Sequence, residues 1–109
     1  MTGTHILAEC RTYSNTIYTH IHAFAQLILP LQGAMLLETE RYQLELNDRQ
    51  LFFLPPTCQH TFYARNHNQI LVLDIPGQLC LAGDMARIDG GVYRMVDERW
   101  AALRSFKLA

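Results

Sequence analysis

The stretch HIHAFAQLILPLQG, from His20 to Gly33, decides how this chain is read. His20 and His22 stand two apart in a β-branched and aromatic run, Thr16 to Ile21, that continues toward them. A regular strand sends both imidazoles to one face. A rise of ~3.3 Å per residue puts their Cα atoms roughly 6.5 Å apart, so the two rings can converge on one ion or ligand. Gln26 comes four residues later and Gly33 closes the segment, giving H-x-H-x3-Q-x6-G. Further on, LFFLPPTCQHTFYA runs from Leu51 to Ala64, and its Pro55-Pro56 turn delivers a third histidine, His60, at the head of a new strand.

Outward from these two segments the chain reads as short β-type runs separated by turn residues. Ala25 to Leu31 is apolar and breaks at Pro30, and Ala34 to Thr39 follows Gly33. Arg41 to Leu46 alternates, with Tyr42, Leu44 and Leu46 on one face against Gln43 and Glu45 on the other. Asn47-Asp48 is a turn, Leu51 to Leu54 a buried strand, and Thr61 to Ala64 and Gln69 to Ile75 flank a loop at Asn66-His67-Asn68. Strands this short and this closely spaced predict an all-β sandwich or barrel. Past Gly77 the texture loosens. Gly83, Gly90 and Gly91 mark loops, with one edge strand between Gly91 and Val96. Asp97 then reads as a helix N-cap, with Trp100, Leu103 and Phe106-Lys107 on one face of a short terminal helix.

Composition narrows the function classes. With 109 residues the chain makes one domain, and with half of them hydrophobic it can pack a core. A net charge of −1 gives no electrostatic reason to meet nucleic acid or an anionic membrane. No apolar run approaches the ~20 residues that span a bilayer, and the start of the sequence has no signal-peptide pattern. Three scattered cysteines, Cys10, Cys58 and Cys80, form no disulfide framework or zinc-ribbon spacing, as expected of reduced thiols in the cytoplasm.

The two histidine segments resemble the two motifs of the cupin superfamily, G-x5-H-x-H-x3-E-x6-G and G-x5-P-x-G-x2-H-x3-N, in order and separated by one hairpin's worth of sequence. The resemblance runs from about Thr12 to Pro76 and implies a small double-stranded β-helix, or jelly-roll, barrel. Gln26 stands at the usual glutamate, Ser14 at the leading glycine, Thr57 at the second motif's glycine and Ala64 at its asparagine. In metal-holding cupins the matching positions are ligands, which here implies a divalent zinc, nickel, copper or iron ion on His20, His22, Gln26 and His60. A glutamine oxygen can coordinate but brings no charge, so such a site is weaker and favours metals that accept imidazole.

The same two stretches also resemble the N-terminal ligand-sensing domain of AraC-type transcription regulators. In that family a cupin barrel encloses a small effector, helices after the barrel form a dimer interface, and a separate helix-turn-helix domain reads DNA. VDERWAALR, from Val96 to Arg104, resembles the start of that helical region. The resemblance implies a barrel over about 12–96, a terminal helix over about 97–108, a homodimer, and no DNA-binding domain within these residues. The expected effector is a sugar or another small polar organic molecule held by His20, His22, Gln26 and His60. Strand parity adds Tyr18, Phe24 and Phe62 to the pocket, and an arm over about Met1 to Glu9 would respond to occupancy. The second reading is a small metal-dependent cupin enzyme of dioxygenase or isomerase type. Against it, no evident acid or base accompanies the histidines.

Overall fold

The computed structural model of the protein describes residues 5–99 and Ala102. Its strands are β1 (Leu7–Arg11), β2 (Tyr18–His20), β3 (Ala25–Gln32), β4 (Met35–Thr39), β5 (Gln43–Leu46), β6 (Gln50–Leu54), β7 (His60–Tyr63), β8 (Gln69–Ile75) and β9 (Val92–Met95). A single helix, α1 (Ala82–Arg87), lies between β8 and β9. The strands form two antiparallel sheets, one in the order β1-β8-β3-β6-β9 and the other in the order β2-β7-β4-β5. This is the jelly-roll barrel that the two motifs imply.

Two residues that look disruptive in the sequence fit the topology. Pro30 lies within β3, the middle strand of the larger sheet, instead of ending it. β6 pairs with β3 only over Gln26, Leu27 and Ile28, and the β8 register shifts between Pro30 and Gln32, so no ladder bond is demanded of the missing N–H. Gly33 turns β3 into β4 at φ 72°. A β-carbon there would collide with the His67 carbonyl oxygen, which is why the motif closes on glycine.

Residues that face each other across a ladder share a side of the sheet, so the register sorts the interior. One half is dry: Ile28, Met35, Leu37, Leu46, Phe52 and Val72 have no exposed surface and form the core. Each contributes about 1.5–3 kcal/mol through burial of its side chain. At the β1 and β2 edges the interior is open. Tyr18 and His20 face inward opposite Phe62 and His60, and Glu9 faces inward opposite the buried Val72, yet all three are exposed. The sandwich therefore gapes along the β1–β2 side and forms a cup.

Three features differ from the sequence-based expectation. β1 lies where an arm over Met1 to Glu9 was expected, so the barrel begins at Leu7 and not near residue 12. Its inner positions, Leu7, Glu9 and Arg11, are too polar to show the alternation that marks a strand. β2 is only Tyr18–His20, shorter than the run Thr16 to Ile21, and His22 lies beyond its end. The six residues of α1 were read as loop. The helix buries nothing and its N-cap, Leu81, makes no side-chain cap, which removes the usual signals. Helical geometry resumes at Glu98, as expected after Asp97. Trp100, Leu103, Phe106 and Lys107 fall outside the described residues.

Candidate functional site

The cup is lined on one wall by a run of rings that three short segments bring together. Tyr18 and His20 come from β2, His60 and Phe62 from β7 opposite them, and His22 and Phe24 from the bend entering β3. His20 and His22 are stacked with centroids 5.5 Å apart, and His60 lies 5.9 Å from His20 and 5.0 Å from His22. Phe24 stacks on His22 at 4.5 Å, and Phe62 packs on His60 at 4.7 Å. The backbone holds His22 in place although it is off the strand, because Thr57 N–H donates to the His22 carbonyl at 2.6 Å.

The opposite wall is polar. Gln26 on β3 and Asp74 on β8 are register partners, and Gln26 Nε2 donates to Asp74 Oδ1 at 2.9 Å. Arg11 on β1 reaches Asp74 Oδ2 at 3.4 Å and Glu9 Oε1 at 2.7 Å. After burial and His20, the charges of Asp74 and Arg11 act on the His22 imidazole in opposite directions.

Three buried polar atoms among the described residues have no hydrogen-bond partner in the protein: Gln26 Oε1, His60 Nε2 and Tyr13 Oη. Gln26 and His60 are each only 2% exposed. An orphaned buried polar atom costs about 1–3 kcal/mol, so each of these atoms calls for a water or a ligand beside it. The His60 tautomer follows from its other nitrogen. Nδ1 sits 3.0 Å from the Cys58 carbonyl, which can only accept, so the proton is on Nδ1 and Nε2 carries a lone pair. Burial, outweighing the pull of that carbonyl, pushes His60 down to about 4, with His22 and His20 adding to the effect. Burial also lowers His22, again with help from His20. His60 and His22 are thus neutral at physiological pH.

Of the residues proposed from sequence, the structure brings His20, His22, His60, Tyr18, Phe24 and Phe62 into one run of ring contacts, and it places Gln26 on β3, bonded to Asp74. Sequence reasoning missed Arg11, Tyr13 and Asp74. Asp74 was within reach: in the run Ile70, Val72, Asp74 it occupies the third inward position, where a carboxylate breaks an apolar pattern. Tyr13 packs edge-on against Phe62 at 5.7 Å and is pinned by the fully buried Asn68. The Asn68 amide donates to Tyr13 O at 2.8 Å and Asn66 O at 2.9 Å, while its Oδ1 accepts from Tyr13 N–H at 2.9 Å.

As a metal centre the fit is incomplete. His60 has the carbonyl-fixed tautomer of a ligating histidine. However, among the described residues no three His, Cys, Asp or Glu side chains are gathered closely enough to hold an ion. Gln26 adds an oxygen without charge. A wider groove of about 710 Å³ lies between the Pro55–Cys58 turn and α1, lined by Ala23, Cys58, Cys80 and Met85 among others. It holds none of the orphaned atoms. Burial pushes the Cys58 thiol up, away from the reactive thiolate. The cup is the candidate site.

The two antiparallel sheets form a cupin barrel. Its fold is shared by the RmlC-like cupin of Shewanella frigidimarina NCIMB 400, at a TM-score of 0.61 and 17% identity over 69% of each chain. The ethanolamine utilization protein Q of Salmonella typhimurium LT2 is similar too, at a TM-score of 0.59 and 14% identity over 66% of this chain and 58% of that one. Residues 6–96 match the AraC-like ligand binding domain, and the chain belongs to that family. It is 36% identical over 99 residues to the uncharacterized HTH-type transcriptional regulator YobQ of Bacillus subtilis (strain 168), covering 91% of this chain and 41% of YobQ.

Proposed function

We propose that the domain binds a small polar organic effector, such as a sugar, in the cup and reports its occupancy to a DNA-binding helix-turn-helix module. The observation that carries this reading is the pair of buried, unpartnered atoms, Gln26 Oε1 and His60 Nε2, beside an open mouth lined with rings. Aromatic faces next to a few directed polar groups suit a ligand with an apolar face and polar edges. Kinship with an HTH-type regulator supports such a module, and the proposal includes a cytoplasmic location and a homodimer. Among the described residues no helix is long and apolar enough to cross a membrane. The relay is a population shift: the effector binds one arrangement of the β1 edge and the segment after β9 better than another.

A thermal-shift screen of sugars and small polar acids and amines tests the proposal. A binder should raise the melting temperature of the native protein, and His22→Ala should abolish that rise while leaving the fold intact. Turnover of a binder, or an unchanged rise in the variant, would count against it.

The fixed tautomer of His60 favours a second reading, in which zinc, nickel, copper or iron binds His20, Gln26, His60 and His22. Elemental analysis of native protein beside the His20→Ala/His60→Ala double variant separates the two. Near-stoichiometric metal lost in the variant supports the metal reading, and metal-free native protein removes it.

A further inference from the structure

The polarity of the orphaned atoms carries the reading further. Gln26 Oε1 is an acceptor because the amide nitrogen of that side chain is spent on the Asp74 carboxylate. His60 Nε2 is an acceptor because the ring proton is spent on the Cys58 carbonyl. Both residues are buried, each 2% exposed. Neither can be re-tasked cheaply: turning the glutamine amide over would set its oxygen against Asp74, and moving the imidazole proton would set a lone pair against a carbonyl. Gln26 Oε1 and His60 Nε2 are therefore two fixed acceptors.

The charges nearby point the same way. Glu9 and Asp74 share the single guanidinium of Arg11, which leaves one carboxylate charge uncompensated at the mouth. Arg11, the cation that pairs with Asp74, is already engaged by both carboxylates.

We infer that the effector enters with hydrogen-bond donors foremost, hydroxyl or amino groups on a compact ring or chain, and carries no anionic group at its buried end. The inference rests on the effector-pocket reading and adds the chemical class. Donors of the effector satisfy Gln26 Oε1 and His60 Nε2, and the rings of His22 and Phe62 cover its C–H face. A carboxylate or phosphate in the same place would set lone pairs against lone pairs in a desolvated site, which sites built on fixed hydrogen bonds reject strongly.

The test is calorimetry of the protein with matched compounds on common skeletons: neutral polyols and phenols, their primary amines, and their carboxylates. The neutral and amino members should bind, with carboxylates at least about tenfold weaker. Gln26→Met keeps the shape but not the acceptor and should weaken the donor compounds by about tenfold. The conservative His60→Gln, which restores an acceptor, should weaken them less than His60→Leu. Amines binding more tightly than alcohols would support the inference and assign Asp74 as their counter-ion. Carboxylates that bind as tightly as their neutral partners and depend on His60 would overturn the donor rule yet uphold the pocket. No binding by any class would overturn both.

Discussion

Gln26 Nε2 donates to Asp74 Oδ1 at 2.9 Å, and this one bond decides which end of the glutamine faces the cup. The position carries a glutamate in the motif that the segment resembles. In this chain a carboxylate there would meet a second carboxylate across the β3–β8 ladder. Gln26→Glu should therefore destabilise the protein by about 1–3 kcal/mol at neutral pH, even with Arg11 close by. A shared proton relieves the repulsion, so the folded variant binds more protons than the unfolded chain and its stability should rise as pH falls toward 5. Denaturant melts at two pH values check both points. A variant as stable as the native protein at pH 7 would show that Asp74 does not hold this amide.

Thr57 has φ 62°, the only positive value among the described non-glycine residues. A β-branched side chain is strained there by about 1–2 kcal/mol. Its N–H nevertheless closes the turn onto the His22 carbonyl. Thr57→Gly keeps that bond and removes the strain, partly offset by the larger entropy of glycine in the unfolded chain. The net gain should be about 0.5–1 kcal/mol, read as a rise of roughly 4 °C in melting temperature. A lower melting temperature would contradict this.

Asn68→Ala should cost about 2–4 kcal/mol, because it removes three hydrogen bonds and leaves the Tyr13 N–H and carbonyl without the side chain that pins them. Asn68 fixes Tyr13 against Phe62, so ligand affinity should fall as well. Chemical denaturation and calorimetry read the two effects separately. A loss of stability below 1 kcal/mol would show that water replaces the side chain at little cost.

His60 makes the protein acid-sensitive in a defined window. Its folded-state value is about 4 against an ordinary 6.5, so below pH 6.5 the unfolded chain takes up a proton that the folded protein refuses. Stability should be constant above about pH 7, fall as pH drops from 6.5, and level off near 4. The loss attributable to this group is about 3 kcal/mol, and the lowered His22 acts in the same direction. His60→Gln should flatten the profile. Equal slopes for variant and native protein would assign the acid sensitivity elsewhere.

The fold was legible because H-x-H-x3-Q-x6-G and the PPTCQH turn tie specific side chains to a specific barrel, and because Arg41 to Leu46 alternates cleanly. β1 was not legible, since its inward positions are Glu9 and Arg11 at an open edge, where no apolar contact is required. The histidine wall could be read from strand parity, although His22 reaches it from a bend that parity does not describe. The opposite wall could not be read. Arg11 and Asp74 meet through a pairing of β1 with β8 that joins residues more than sixty positions apart. Asn66-His67-Asn68 looked like loop chemistry alone, but Asn68 is completely buried because the segment between β1 and β2 crosses over it.

The most direct test of the pocket is the ¹⁵N resonance of His60 Nε2, followed as a compound that raises the melting temperature is added. In the unliganded protein it should report a non-protonated nitrogen at neutral pH. On binding it should move in the sense of accepting a hydrogen bond, saturating in step with the thermal shift, while Nδ1 stays bonded to the Cys58 carbonyl. A binder that stabilises the protein and leaves both His60 nitrogens unmoved would place the effector outside the cup and contradict the account.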